Sequence, residues 1–235
     1  MRKTIYKADE RGFANHGWLK THHIFSFANF YNEERMGFGS LRVFNDDFVE
    51  PGMGFGTHPH DNMEIISIPI EGTMAHKDSQ GNEVTIKAGD IQVMSAGSGL
   101  THSEYNYSRE RKLNFLQIWV FPNTYNTRPG YLQRSFHYPL NRLVLVISPN
   151  STGNSLPIKQ NAFFYLGKYS RGESQEYYRH TDTNGIFLFV IEGKLSVEDE
   201  FLHKRDAIGI ENTEKITIHF DEDAFILLIE IPMKK

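Results

Sequence analysis

The apolar residues of this chain come in short runs broken by Gly, Asn, Asp and Pro, with little of the three-and-four spacing of an amphipathic helix. Ile65-Ile66-Ser67-Ile68, Ile91-Gln92-Val93-Met94, Leu113 to Phe121 and Leu143 to Ile147 are strand-like in their β-branched and aromatic content. Asp78-Ser79-Gln80-Gly81-Asn82 reads as a hairpin turn between two such runs, with Gly81 free to take positive φ. Lys87-Ala88-Gly89-Asp90 reads as another. Many short strands at this spacing predict an all-β sandwich or barrel.

At 235 residues the chain suits one large β domain or two small ones. A weak internal repeat favours two. Ile65 to Met74 (IISIPIEGTM) resembles Ile186 to Leu195 (IFLFVIEGKL), and Ala88-Gly89-Asp90-Ile91 has a looser echo in Lys204-Arg205-Asp206-Ala207. Asn123 to Gly130 is polar and closes on Arg-Pro-Gly, as a linker does. The expected layout is a barrel over residues 1–125, a linker over 126–140 and a second barrel over 141–235.

Several function classes fall away on composition. Acidic and basic residues are well mixed at a net charge of −4, so no basic stripe offers itself to DNA or RNA. The chain has 0 cysteines, which removes disulfides, thiolate catalysis and Cys-ligated metals. No stretch of 18 apolar residues occurs, and the N-terminus lacks an apolar run of signal-peptide length. A cytoplasmic monomer without membrane contact is expected.

Two short elements carry chemistry: Gly52-(x5)-His58-Pro59-His60 and His102-Ser103-Glu104. Residues i and i+2 of a strand share a face, about 6.6–6.8 Å apart. Each element therefore presents two ligands side by side, and two such strands facing one barrel interior would converge four. Three imidazoles and a carboxylate suit a divalent transition metal, with Fe(II), Mn, Ni, Cu and Zn all compatible. Pro59 costs a ladder hydrogen bond, which suits an edge strand. Gly52, Gly54, Gly56, Gly97 and Gly99 would let the loops turn tightly around a pocket.

These residues also carry a resemblance. Gly52-(x5)-His58-x-His60-(x3)-Glu64 looks like the first cupin motif. Gly89-(x5)-Ser95-x-Gly97-(x4)-His102-(x3)-Asn106 looks like the second, with Ser in place of the usual Pro and two extra residues before the His. HPHDNME (58–64), Glu71-Gly72, Asp78 to Asn82 and MSAGSGLTHSE (94–104) resemble the pirin family, closest to its bacterial quercetin 2,3-dioxygenases. Asn15 to Leu19, Phe25 to Ala28 and Asn45-Asp46-Asp47 extend the match toward the N-terminus.

The resemblance implies two tandem cupin barrels (a bicupin) with few short helices, the second barrel degenerate and without metal. It implies one divalent metal per chain, usually iron as Fe(II), with Ni, Cu, Mn, Co or Zn as alternatives, on His58, His60, His102 and Glu104. It implies cleavage of a flavonol such as quercetin by dioxygen with release of carbon monoxide, Glu104 acting as the base. A small aromatic substrate and dioxygen would be the partners. The alternative it leaves is a metal-binding regulatory or redox-sensing protein that acts through protein partners.

Glu64, a ligand position in many cupins, is read as supporting or structural. His22 and His23 are adjacent, so only one of them could line a pocket. His76, His137 and His203 are read as surface or satisfied residues, and His180 and His219 as non-ligating. The stripe Phe115, Trp119 and Phe121 reads as core packing.

Overall fold

A computed structural model describes residues 1–234. Apart from two short 3-10 helices, Ala8–Glu10 and Glu33–Arg35, the regular structure is all strand. The strands form two barrels of the same build, each a seven-stranded sheet facing a four-stranded one. In the N-terminal barrel the large sheet runs Gly130–Ser135, Asp90–Ser95, Glu64–Glu71, Leu113–Val120, Leu41–Val49, Leu19–His23, Gly12–Asn15. Its small sheet runs Gly54–His60, Leu100–Asn106, Thr73–Asp78, Glu83–Lys87. Thr73–Asp78 and Glu83–Lys87 form the expected hairpin, with Gly81 at φ +89° in its turn.

Two strands cross the boundaries expected from sequence. Arg2–Tyr6 lies within 1–125 but pairs with Ala207–Glu211 at the edge of the C-terminal large sheet. Gly130–Ser135 lies within the expected linker 126–140 but pairs with Asp90–Ser95 at the edge of the N-terminal one. An edge strand exposes unpaired N–H and C=O groups, and each arm covers such an edge.

Strict alternation sorts side chains between two cores. Along Asn184–Glu192, Phe187, Phe189 and Ile191 join a cluster between the large sheets, while Ile186, Leu188 and Val190 fill the C-terminal barrel. The N-terminal strands do the same: Ile66, Ile68, Leu116, Ile118 and Val120 meet the shared cluster, where the Phe44 and Phe189 rings lie 4.7 Å apart. The two interiors differ in chemistry. The C-terminal barrel is packed by Leu, Ile, Val and aromatic residues. The N-terminal one has polar residues Asn45, Asp47, Ser67 and Gln117 at inward positions. In the repeat, Ser67 aligns with Leu188, which packs in that apolar core.

A buried ion cluster also joins the barrels. Asp46 accepts from Arg11 at 3.1 Å and from Arg205 at 2.9 Å, and Arg205 reaches over from the C-terminal barrel. Asn114 donates to the same carboxylate at 2.9 Å. No helix among the described residues is long and apolar enough to cross a membrane.

Candidate metal centre

Three neighbouring strands of the small sheet build the centre. His58 lies opposite His102, and His102 lies opposite Asp78 on its other side. Glu104 lies opposite His76. Pro59 sits on Gly54–His60, the edge strand of this sheet, where its missing N–H costs little. The register shifts between His102 and Glu104, a bulge that re-aims side chains at the site. A Cβ at Gly54 would lie 2.2 Å from the Glu104 carbonyl oxygen, so glycine there lets the edge strand close on its partner.

His58, His60 and His102 come together as the sequence spacing predicts. Their ring centroids are 4.5–4.9 Å apart, and one nitrogen from each lies within 4.8 Å of the others. His58 Nδ1 lies 2.8 Å from the Gly56 carbonyl, an acceptor only. Nδ1 therefore carries the proton, and Nε2 keeps its lone pair. Burial and the neighbouring His58 push His60 down to about 4. The same causes, burial first, lower His102 further. Both rings are thus neutral near pH 7. Both nitrogens of His102 are buried with no hydrogen-bond partner, a cost that an ion on one of them would relieve. The donor set fits a transition metal.

Glu104 is buried beside the triad. Its Oε1 accepts from Ser67 Oγ at 3.1 Å and its Oε2 from Gln117 Nε2 at 2.7 Å. Burial raises its carboxyl to about 7, with the two hydrogen bonds pulling the other way. At the 4.8 Å spacing it groups with His102 and His76, whereas His58 and His60 group with His102 alone. His102 is common to both groups.

His58, His60 and Glu104 open onto a cavity of about 450 Å³. Trp18, Phe27, Phe55 and Trp119 form its apolar walls; Asn45, Asp47 and Gln117 are the polar ones. Asp47 is buried, Oδ1 has no partner, and burial raises its carboxyl to about 7. A side chamber of about 300 Å³ continues past Trp18 and Phe27 to His16, Thr21 and His23. A wider groove of about 720 Å³ lies along Lys77, Ser103 and Tyr105. Ser103 and Tyr105 alternate with His102 and Glu104, so that groove is on the other face of the sheet.

Several expectations need correction. Trp119 is not simple core: it lines the cavity, packs edge-on to His60 at 4.8 Å, and keeps a buried Nε1–H without partner. Phe115 does pack in the core, and Phe121 lies beyond the strand end at Val120. His76, read as surface or satisfied, is buried and only half satisfied: Nε2 bonds Asp78 at 3.0 Å while Nδ1 is unpartnered. Its signal was in the sequence, since His76-x-Asp78 is a third i, i+2 pair on the adjacent strand. Gln117, lying between Phe115 and Trp119 at period two, was an equally readable polar interruption.

The other residues separate plainly. Glu64 faces away from the cavity, accepting from Ser95 Oγ at 2.8 Å and from the Lys159 backbone at 3.2 Å. Of the adjacent pair, His23 faces the side chamber and bonds Asn45 at 2.7 Å, while His22 packs against Phe13 and Phe48. His137, His203 and His219 are exposed, and His180 bonds the buried Glu230 at 2.8 Å.

Two barrels of this build, with His-x-His on an edge strand facing His-x-Glu, define a bicupin with a histidine-rich centre. A family model described as pirin matches residues 6–120, and one described as quercetinase C-terminal cupin domain matches residues 145–231. The chain is 41% identical over 228 residues to quercetin 2,3-dioxygenase of Escherichia coli K12, covering 97% of this chain and 98% of that one. It is 39% identical to a pirin-like protein of Caulobacter vibrioides, covering 94% of this chain and 96% of the relative. The crystal structure of E. coli pirin YhhW in complex with nickel(II) superposes with a TM-score of 0.94 at 39% identity, covering 98% of this chain and 99% of that one. The chain belongs to the pirin family of cupins.

Proposed function

We propose that this protein is a metal-dependent dioxygenase that opens the central ring of a flavonol such as quercetin and releases carbon monoxide. The observation that carries the reading is the His58, His60 and His102 cluster, with His58, His60 and the buried Glu104 lining a single aromatic-walled cavity of about 450 Å³. Relatives named quercetin 2,3-dioxygenase over nearly the whole chain support it.

In this reading His58, His60, His102 and Glu104 hold one divalent metal, Fe(II) being the working ion by family resemblance. When bound, such an ion supplies Lewis acidity toward the flavonol 3-hydroxyl and redox chemistry toward dioxygen. Glu104 takes the 3-hydroxyl proton. Each of its oxygens accepts one hydrogen bond from the protein, which leaves a lone pair free. Burial raises the metal-free carboxyl to about 7, and an ion beside it would pull it back toward the anion, the form that can take up a proton. Gln117 and Ser67 hold that carboxylate in position. Trp18, Phe27, Phe55 and Trp119 hold the flat aromatic substrate and exclude water from the reacting rings.

The test is dioxygen uptake and headspace carbon monoxide from metal-loaded protein given quercetin, with each of Fe, Ni, Cu, Mn, Co and Zn in turn. The expected result is stoichiometric uptake and carbon monoxide with at least one metal. A protein that binds metal but consumes no dioxygen with quercetin would favour the regulatory reading.

A further inference from the structure

We propose that His76 and Asp78 are positioning residues of the metal centre, with His76 Nδ1 accepting the His102 N–H that faces away from the ion. The inference rests on the metal reading above. It follows from counting donors and acceptors in a closed space.

Asp78 faces only donors. It takes the backbone N–H groups of Gln80 at 2.9 Å and Asn82 at 3.1 Å, and the Asn82 side-chain amide at 2.9 Å. A carboxylate so surrounded is an acceptor, so the His76 Nε2 at 3.0 Å must donate to it. A neutral imidazole has one N–H and one lone pair. His76 Nδ1 is then a bare lone pair, buried and without a partner.

His102 has the complementary need. Neither of its buried nitrogens has a partner. If one gives its lone pair to an ion, the other carries a buried N–H that requires an acceptor. The unpartnered His102 N–H and the His76 Nδ1 lone pair lie on rings 5.4 Å apart between centroids and tilted by 51°. A modest turn of His102 joins them into a chain from Asp78 through His76 to His102. Carboxylate-backed histidines of this kind fix the tautomer and raise the basicity of a ligating imidazole. The rival acceptor is Glu104, which groups with the same two rings.

Titration with Ni²⁺ by calorimetry, together with the visible spectrum of the Co²⁺-loaded protein, tests the assignment. His76→Phe keeps a buried ring but removes the acceptor; His76→Gln returns an acceptor oxygen. His76→Phe should still bind one Ni²⁺ per chain, about 10–100-fold more weakly than wild type and with a shifted Co²⁺ spectrum. His76→Gln should recover most of the affinity, and Asp78→Asn should weaken it. Should His76→Phe fail to fold by circular dichroism, the other two variants decide on the same terms. Wild-type affinity and spectrum in folded His76→Phe would overturn the proposal in favour of Glu104 as acceptor. Complete loss of binding with the fold intact would make His76 a ligand and overturn it equally. A wild-type chain that binds no Ni²⁺ defeats the metal reading itself, and this one with it.

Discussion

Gln117 donates its side-chain amide to Glu104 Oε2 at 2.7 Å, from the strand that also brings Trp119 to the cavity wall. This bond does two things at once. It fixes the direction of a buried carboxylate, and it partly offsets the burial that raises that carboxyl to about 7.

The pH dependence of metal affinity follows from that balance. Below about pH 7 the metal-free Glu104 holds a proton that an incoming ion must displace. Its contribution to Ni²⁺ affinity should rise about tenfold per pH unit up to that point and level off above it. Subtracting the profile of Glu104→Gln isolates this carboxyl from the imidazoles. Gln117→Leu removes a bond that lowers the carboxyl, so the levelling point should move to higher pH. Identical profiles for wild type and Glu104→Gln would show that the carboxyl does not meet the ion.

His58→Ala and His102→Ala should each abolish tight Ni²⁺ binding while the circular dichroism spectrum stays that of a folded β protein. The cores on either side of the site are independent apolar clusters, so the barrel is preformed and the ion adds stability by mass action alone. Elemental analysis and thermal melts are the checks. Unfolding of either variant at room temperature would mark the ion as structural.

Much of the centre was legible because strand geometry is simple. A period of two puts His58 with His60 and His102 with Glu104 whatever the tertiary fold, and turn chemistry placed Gly81 in its hairpin. What the sequence hid was which strands become neighbours. His76 became readable only once Thr73–Asp78 was known to flank Leu100–Asn106, and Trp119 only once its face was known to meet the cavity. The exchanged strands Arg2–Tyr6 and Gly130–Ser135 pair with distant partners, and local pattern holds no record of such pairing. The apolar interior of the second barrel did leave a trace: Leu188 stands where the repeat has Ser67.

Asp46 gives a prediction about stability. It is buried between Arg11 and Arg205, and removing it strands Arg11 and leaves Arg205 with only the longer pair to Glu192 at 3.6 Å. Asp46→Leu should cost about 3–5 kcal/mol in denaturant unfolding, the usual penalty for breaking a buried pair from one side. A change below about 1 kcal/mol, in the range of exposed pairs, would mean that solvent already screens the cluster.

The central claim is that Glu104 is both ligand and base, and turnover of quercetin at matched metal content tests it most directly. In Glu104→Gln an amide oxygen can still reach the ion but cannot take up a proton. Turnover per bound metal should fall by about 10²–10⁴-fold, the usual contribution of a positioned base. Metal affinity should fall far less, with the three imidazoles in place. Equal turnover per bound metal in Glu104→Gln and wild type would contradict the account.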